Sequence, residues 1–420
     1  MEIVFLTPHF PPDFQGGTET VTRALARELM VLGHRVRIVA GTDRAHTGTD
    51  VERARAGEIE VAFLPRKSDE YYDLDLARER LRPLVRELVR GADLVHVHNW
   101  WTLHARLVRD ARAAGLPVVV TFHDLFVTCP RFFRVPPDEA IRCPPPREYD
   151  VCARCVAPAS SWSHAELLAG FARRNTWIAA ELEAALAFVV PSRAHAAKLS
   201  EYVALDPARL SVIAHGLPEP LERVVRRGWD GRERLRVLSL GHRSDVKGVR
   251  ELVRAVAGLA PMEKQRVELV LLGSEVVAGY DDELRREANG VRLVFAGTYT
   301  HADLAATLAT LGGAHLGAFP SRAFESYGLV PDELMALGLP VWVSDRGAPR
   351  ERVGRAGRVL PAENPQAWTR ALASVLADPA QLEHERAALP ARVRTTADAA
   401  RELDALYARV LRMAGNAFRA

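Results

Sequence analysis

Short apolar runs alternate with amphipathic stretches through most of this chain. Residues 3–6 read as a buried strand, and from Glu19 to Leu32 apolar positions recur at the spacing of a helix face before a break at Gly33-His34. Runs at 36–40, 61–64, 94–97, 118–121, 188–190 and 212–214 continue the series. Strands apolar at nearly every position, rather than at every second one, predict a parallel sheet covered by helices on both faces. After a charged, proline-containing stretch at 218–234 the pattern restarts, with runs at 236–240, 267–272, 291–295, 315–318 and 341–343. The restart predicts two α/β units, each a doubly wound parallel sheet of Rossmann type, over 1–217 and 218–396, with a closing helix over 397–420. In such sheets ligands sit beyond the carboxyl ends of the strands, near the point where strand order reverses. The informative residues therefore belong just after strands.

Composition narrows the function classes. A length of 420 residues exceeds what one core organises, in keeping with two units. The 56 basic residues are matched by 53 acidic ones, so no general excess of positive charge argues for nucleic acid as a partner. Only four of the basic residues are lysines (Lys67, Lys198, Lys247 and Lys264), which sets each apart from an arginine-rich background. No apolar run approaches the ~20 residues needed to span a bilayer. Met1-Glu2 leads straight into the first strand without a basic leader segment. These features predict a cytoplasmic chain whose membrane contact, if any, is peripheral and at the inner face, through arginine-rich stretches at 81–90 and 221–236.

The densest chemistry follows the fourth run of the second series: Pro320-Ser321-Arg322-Ala323-Phe324-Glu325-Ser326-Tyr327-Gly328-Leu329, then a helix through Glu333 to Gly338. Glu325 and Glu333 are eight positions apart, a little over two helical turns, so the pattern expects both carboxylates on one side of the element. Carboxylates accept hydrogen bonds from sugar and ribose hydroxyls. Amides from Ser326 to Leu329, at the expected helix start, suit a diphosphate. In the first unit, Gly16-Gly17 follows a strand, where backbone either approaches a ligand closely or takes positive φ. His123 ends another. His96 and His98, two apart, share one face of theirs, and only His98 lies near enough to the strand end to reach a ligand. Trp100 and Trp101 suit either stacking on an acceptor sugar or burial.

All four cysteines, Cys129, Cys143, Cys152 and Cys155, fall in one proline-rich insertion at about 125–160. Four thiolates would close a tetrahedral zinc site of structural role, shaping the acceptor side; free thiols and a disulfide stay open as readings.

Together these blocks resemble the retaining glycosyltransferases of family 4, which share the GT-B fold. The resemblance is carried by Gly16-Gly17-Thr18-Glu19, Gly33-His34-x-Val36, His96-x-His98, His123-Asp124, Pro191-Ser192, Gly241 to Lys247-Gly248, and Glu325 with Glu333 as an E-x7-E pair. It implies two Rossmann-like domains facing across a cleft, with the closing helix packed back on the N-terminal one. It implies transfer of a sugar from a nucleoside diphosphate sugar to a hydroxyl of a glycan, lipid-linked or small-molecule acceptor, with retention and without a catalytic metal. In that scheme Glu333 holds the ribose and Glu325 the donor sugar. Ser326, Tyr327, Gly328 and Leu329 offer amides to the diphosphate, and Lys247 neutralises it. Gly16 and Gly17 face the donor phosphate or the acceptor, and His123 contacts the donor sugar. Glu325, His123 and Lys247 form the expected catalytic set.

One position departs from the family. Its usual arginine after the glycine matching Gly241 is replaced by His242, so Arg243 is expected to reach the phosphate from a shifted loop. Two rival readings are a nucleotide-sugar epimerase of the same architecture, whose Ser-Gly-Gly run Glu325 to Gly328 does not match, and a non-catalytic nucleotide-sugar or glycan-binding module. Asp73-Leu74-Asp75 formally matches the metal motif of the other major glycosyltransferase fold, but lies in a charged stretch away from any strand end.

Overall fold

The structure, a computed structural model, describes the chain apart from residues 12–15, 43–50, 65–73, 75–78, 104–105, 137–142, 144–147, 225–227 and 418–420. Lys67, Asp73 and Asp75 therefore lie outside the described residues. The chain forms two compact units, one of Met1–Pro218 with Thr396–Ala420 and the other of Glu219–Thr395.

The first unit holds an eight-stranded sheet. Its strands are β1 (Glu2–Thr7), β2 (Arg35–Ala40), β3 (Glu52–Ala56), β4 (Ile59–Phe63), β5 (Leu94–Val97), β6 (Val118–Thr121), β7 (Ala187–Val190) and β8 (Leu210–Val212), in the order β3-β4-β2-β1-β5-β6-β7-β8. All pairs are parallel except β3 with β4. β3 carries no apolar run, since its sequence Glu-Arg-Ala-Arg-Ala suits a solvated edge, and the hydrophobic pattern passes over it. The closing helix, Thr396–Ala417, buries Ala399, Leu403, Leu406, Tyr407 and Val410 at helical spacing. It lies against the helix Gly17–Val31, and His34 Nε2 meets Asp404 Oδ1 at 2.9 Å.

The second unit holds six parallel strands: β9 (Leu235–Leu240), β10 (Val267–Leu272), β11 (Arg292–Phe295), β12 (Leu316–Phe319), β13 (Val341–Ser344) and β14 (Gly357–Leu360), in the order β11-β10-β9-β12-β13-β14. Val267, Leu269 and Leu271 face one core while Val270 and Leu272 face the other, which is why β10 reads as an unbroken apolar run. The first core is filled from the helix Val249–Ala257 by Val249, Leu252, Val253 and Val256. β14 escapes the pattern because it opens with a glycine. A Cβ on Gly357 would lie 1.8 Å from the Val341 carbonyl, so this edge closes on β13 only without a side chain.

Strand order reverses between β1 and β5 in the first sheet and between β9 and β12 in the second. The segments after those four strands are Pro8 to Gly17, His98 onward, Gly241 to Gly248, and Pro320 to Leu329. These segments carry several of the sequence motifs, while His123-Asp124 follows β6 and Pro191-Ser192 follows β7.

Candidate active site

In the second unit the loops after β9 and β12 are zipped together. The Val246 carbonyl accepts from the amides of Arg322 at 3.0 Å and Ala323 at 3.2 Å. Gly248, at φ +70, makes the approach possible: a Cβ there would sit 1.9 Å from the Pro320 carbonyl. The zipper delivers Lys247, at the end of the short turn Asp245–Lys247, to Glu325. Lys247 Nζ donates to Glu325 Oε1 at 2.8 Å, and Ser321 Oγ donates to the same oxygen at 2.8 Å. Both contacts fall on Oε1; among the described residues Oε2 has no hydrogen-bond partner. The backbone of Glu325 is fixed as well, because Ala348 N donates to its carbonyl at 2.9 Å and Gly347 (φ +79) passes where a Cβ would lie 2.2 Å from that oxygen.

The helix after this loop spans Val330–Ala336, so Glu325 precedes it by five residues and only Glu333 is helical. This corrects the expectation that the two carboxylates share a face of one helix; the chain enters the helix through Gly328 at φ +71 rather than at Glu325. Arg352 holds that entry, donating to the carbonyls of Tyr327 at 2.8 Å and Gly328 at 2.6 Å and to Asp332 Oδ1 at 2.8 Å. The Tyr327 ring is buried, with its hydroxyl donating to Asp332 Oδ2 at 2.5 Å, which leaves backbone rather than side chain at the loop surface.

Glu333 is met by two residues from the segment after β11. His301 Nδ1 lies 3.2 Å from Glu333 Oε1, and burial beside the same carboxylate pushes the Tyr299 hydroxyl pKa up. His301 Nε2 lies 2.8 Å from the Glu219 carbonyl, which can only accept, so a second bond to Glu333 calls for a proton on each ring nitrogen. Burial lowers the His301 pKa, but the Glu333 bond and the Glu219 carbonyl outweigh it and the net shift is upward.

Arg243 has a different partner from the expected phosphate. Its Nε and Nη2 bind Asp281 in a fork at 2.6 Å each, Nη1 donates to the Gly273 carbonyl, and the side chain is 6% exposed. The guanidinium ties the β9 loop to the segment after β10. His242 is exposed, with Nδ1 2.9 Å from Ser274 Oγ.

In the first unit, His123 follows β6 and is buried. Its Nε2 lies 2.7 Å from His98 Nδ1, and its ring stacks on His215 at 5.0 Å. His98 continues the stack to His96, whose Nδ1 meets Tyr407 Oη at 2.6 Å and whose Nε2 meets Thr121 Oγ1 at 2.7 Å. Burial, with the neighbouring His195, lowers the His123 pKa to about 3; burial, with His123, takes His96 to about 3. His96 and His123 are thus neutral near pH 7. Half-buried Asp124 accepts from Phe126 N at 2.7 Å and from Asn99 Nδ2 at 3.3 Å, and desolvation pushes it up to about 7. Gly16 caps the helix Gly17–Val31, with its amide donating to Glu19 Oε2 at 3.0 Å. Neither glycine has positive φ, and a Cβ on Gly17 would meet nothing within 4 Å. Trp100 is buried and donates through Nε1 to Glu181 Oε2 at 3.0 Å, so it is a core residue; Trp101 packs edge-on to Phe132 at 5.0 Å.

All four cysteines line one cavity of about 20 Å³, with Arg131, Arg134, Pro136, Val151, Val156 and Phe171. None is in a disulfide. Burial pushes the thiols of Cys152 up to about 12 and Cys155 up to about 11. Among the described residues, no group of three or more His, Cys, Asp or Glu stands in position to hold a metal ion.

Two family models match the sequence, Glycosyltransferase Family 4 over residues 15–219 and Glycosyl transferases group 1 over residues 234–378. This chain belongs to the family 4-like, group 1 glycosyltransferases.

Solved structures agree on the fold, which is GT-B. HepE of Anabaena, crystallised with UDP, matches at TM-score 0.58 and 16% identity over 100% of both chains. WaaG, described as a glycosyltransferase involved in lipopolysaccharide biosynthesis, matches at TM-score 0.61 and 16% identity over 95% of this chain and 98% of its own. A UDP-forming trehalose-phosphate synthase from Burkholderia xenovorans matches at 0.64 and 14% over 97% of this chain and 100% of its own. No curated protein sequence matches. No described helix of this glycosyltransferase is long and apolar enough to cross a membrane.

Several residues that shape the site gave no signal of their own in the sequence. Ser321 sat inside a quoted motif without a role. His301, Tyr299 and Arg352 reach the site from separate loops, and no local pattern marks them. His98 was placed near the strand end, but its bond to His123 depends on β5 and β6 being neighbours.

Proposed function

We propose that this glycosyltransferase moves a sugar, with retention, from a nucleoside diphosphate sugar to a hydroxyl of a glycan, lipid-linked or small-molecule acceptor. One observation carries the reading: at the reversal of strand order in the second sheet, Lys247 and Ser321 converge on a single oxygen of Glu325. A point cation belongs beside a diphosphate. The second Glu325 oxygen is an acceptor for donor-sugar hydroxyls, and Glu333 is one for the ribose. The pinned backbone from Ser326 to Leu329 completes the phosphate contacts. In the reaction the bond from the anomeric carbon to the diphosphate oxygen breaks, a bond to the acceptor oxygen forms on the same face, and the acceptor proton passes to the leaving phosphate. Negative charge grows on that phosphate, so a fixed ammonium there stabilises the transition state more than the ground state. The neutral imidazole of His123 suits hydrogen bonding to the sugar rather than charge. Fold neighbours crystallised with nucleotides, HepE with UDP and a starch synthase of Arabidopsis thaliana with ADP, support a nucleotide-linked donor.

A thermal-shift panel with UDP, GDP, ADP and CMP on wild type and on Glu333→Ala tests the reading. A diphosphate at one hundred times its Kd stabilises by about 2.7 kcal/mol, and Glu333→Ala should remove most of that shift. Folded protein that shifts with no nucleotide at millimolar concentration would overturn it, and a donor sugar that changes configuration without an acceptor would make it an epimerase.

A further inference from the structure

The cysteine-lined cavity lies outside the transfer machinery, and its surroundings contain an unexplained charge. Arg174, on the helix His164–Ala184, is fully buried. Its Nη2 donates to the Phe126 carbonyl and its guanidinium lies 4.6 Å over the Phe126 ring, but Nε and Nη1 have no hydrogen-bond partner. A buried cation with two orphaned N–H groups is unfavourable unless an anion faces it. The charges it senses include Cys129, Asp124 and Cys152. Asp124 already accepts from Phe126 and Asn99. The groups left that can become anions are the thiols lining the adjoining cavity, which lose their protons only when a metal ion binds.

We propose that Cys129, Cys143, Cys152 and Cys155 bind one zinc ion as a tetrathiolate site, with Arg174 as its buried counter-charge. Four thiolates around one divalent cation carry a net charge of about −2, and N–H donors to ligating sulfurs are the usual outer partners of such sites. The cavity of about 20 Å³ admits one ion and is too small for an iron–sulfur cube. Cys152 and Cys155 lie three residues apart on the helix Tyr149–Val156, on one face and able to chelate together. The sulfurs line the cavity without yet converging. A 120° step in χ1 moves a thiol sulfur by about 3 Å, enough to gather four sulfurs to zinc bonds of about 2.3 Å. Thiols lose their protons on binding, so zinc supplies the anion that Arg174 lacks. The site is structural. It closes the segment that starts directly after His123 and Asp124, whose Phe126 carbonyl Arg174 already holds.

Metal content of the full chain, purified reduced and without added chelator, tests this independently of turnover. One zinc per chain is expected, replaceable by cobalt with a thiolate-to-cobalt charge-transfer band of four-sulfur type. Arg174→Met is expected to weaken zinc binding by about 10- to 100-fold, while raising the Tm of the metal-free protein because an unpaired buried charge is gone. That opposition of signs separates an outer partner from a packing residue even where a cysteine variant fails to fold. Substoichiometric metal with four reactive thiols in denaturant, a disulfide among the four, or iron with labile sulfide would each overturn the proposal. None of these results bears on the donor site.

Discussion

Replacing Lys247 by alanine removes the only cation in direct contact with Glu325 among the described residues. The loss has two parts. Cleavage of the sugar–diphosphate bond adds roughly one negative charge to the leaving phosphate, and this extra charge is what the ammonium stabilises differentially. Unit charges ~4 Å apart interact by about 4 kcal/mol at an effective dielectric near 20. Lys247 is 31% exposed, so water screens part of that. A remaining 2–3 kcal/mol, or roughly 30- to 150-fold in kcat, is the expected cost, within the range seen when one transition-state donor is removed. The second part concerns Glu325, which keeps only Ser321 at 2.8 Å and then faces the diphosphate as an uncompensated anion. Donor KM should therefore rise in Lys247→Ala, and Glu325→Gln in the same background should return part of it. The assay is the initial rate of nucleoside diphosphate release, run beside thermal unfolding. Lys247→Ala with kcat within about threefold of wild type and an unchanged Tm would refute the assignment.

Other consequences concern stability and backbone. Arg243→Ala leaves Asp281 as a largely buried, unpaired carboxylate and should cost roughly 2–3 kcal/mol in urea unfolding, with part regained by adding Asp281→Ala; lost nucleotide binding at unchanged stability would instead return Arg243 to the phosphate. Gly17→Ala meets no atom within 4 Å and starts a helix, so it should leave Tm level or slightly higher while raising donor or acceptor KM; unchanged kinetics would mean that no ligand approaches there. Burial sets the pKa of His96 and His123 at about 3 and of His195 at about 4, with His98 also lowered, against 6.5 unfolded. The unfolded chain then binds more protons, and stability rises with pH from about 4 to 6.5. Asp124 has the opposite sign: at about 7 folded against 3.8 unfolded, its contribution is lost as pH rises through 7. Urea midpoints should rise from pH 5 and level off near neutrality, and should rise more steeply in Asp124→Asn, which removes the opposing contribution between 3.8 and about 7; a flat profile would show that these groups are solvated.

What was legible in the sequence had local causes. Strands buried on both faces are apolar throughout, so most of both sheets could be placed, whereas β3 and β14 are edges whose charged or glycine-led sequences carry no such mark. Motif residues at strand ends were found because chain position alone puts them near a reversal of strand order. Their partners were hidden by distance along the chain: Tyr407 is 311 residues from His96, and Asp281 is 38 from Arg243. The Glu325 and Glu333 pair shows how a spacing can be assigned the wrong geometry. Helical spacing made the two carboxylates seem one face of one element, yet the helix begins at Val330. The interval is instead a length of chain that passes Gly347 at Glu325, turns at Gly328 and enters a helix at Val330. A loop of that length can present one carboxylate to a cation from β9 and a second to a histidine after β11. If that is what the spacing encodes, inserting one residue between Ser326 and Gly328 should separate the Lys247 contact from the His301 contact, while either glutamate shifted within a continuous helix would have moved both.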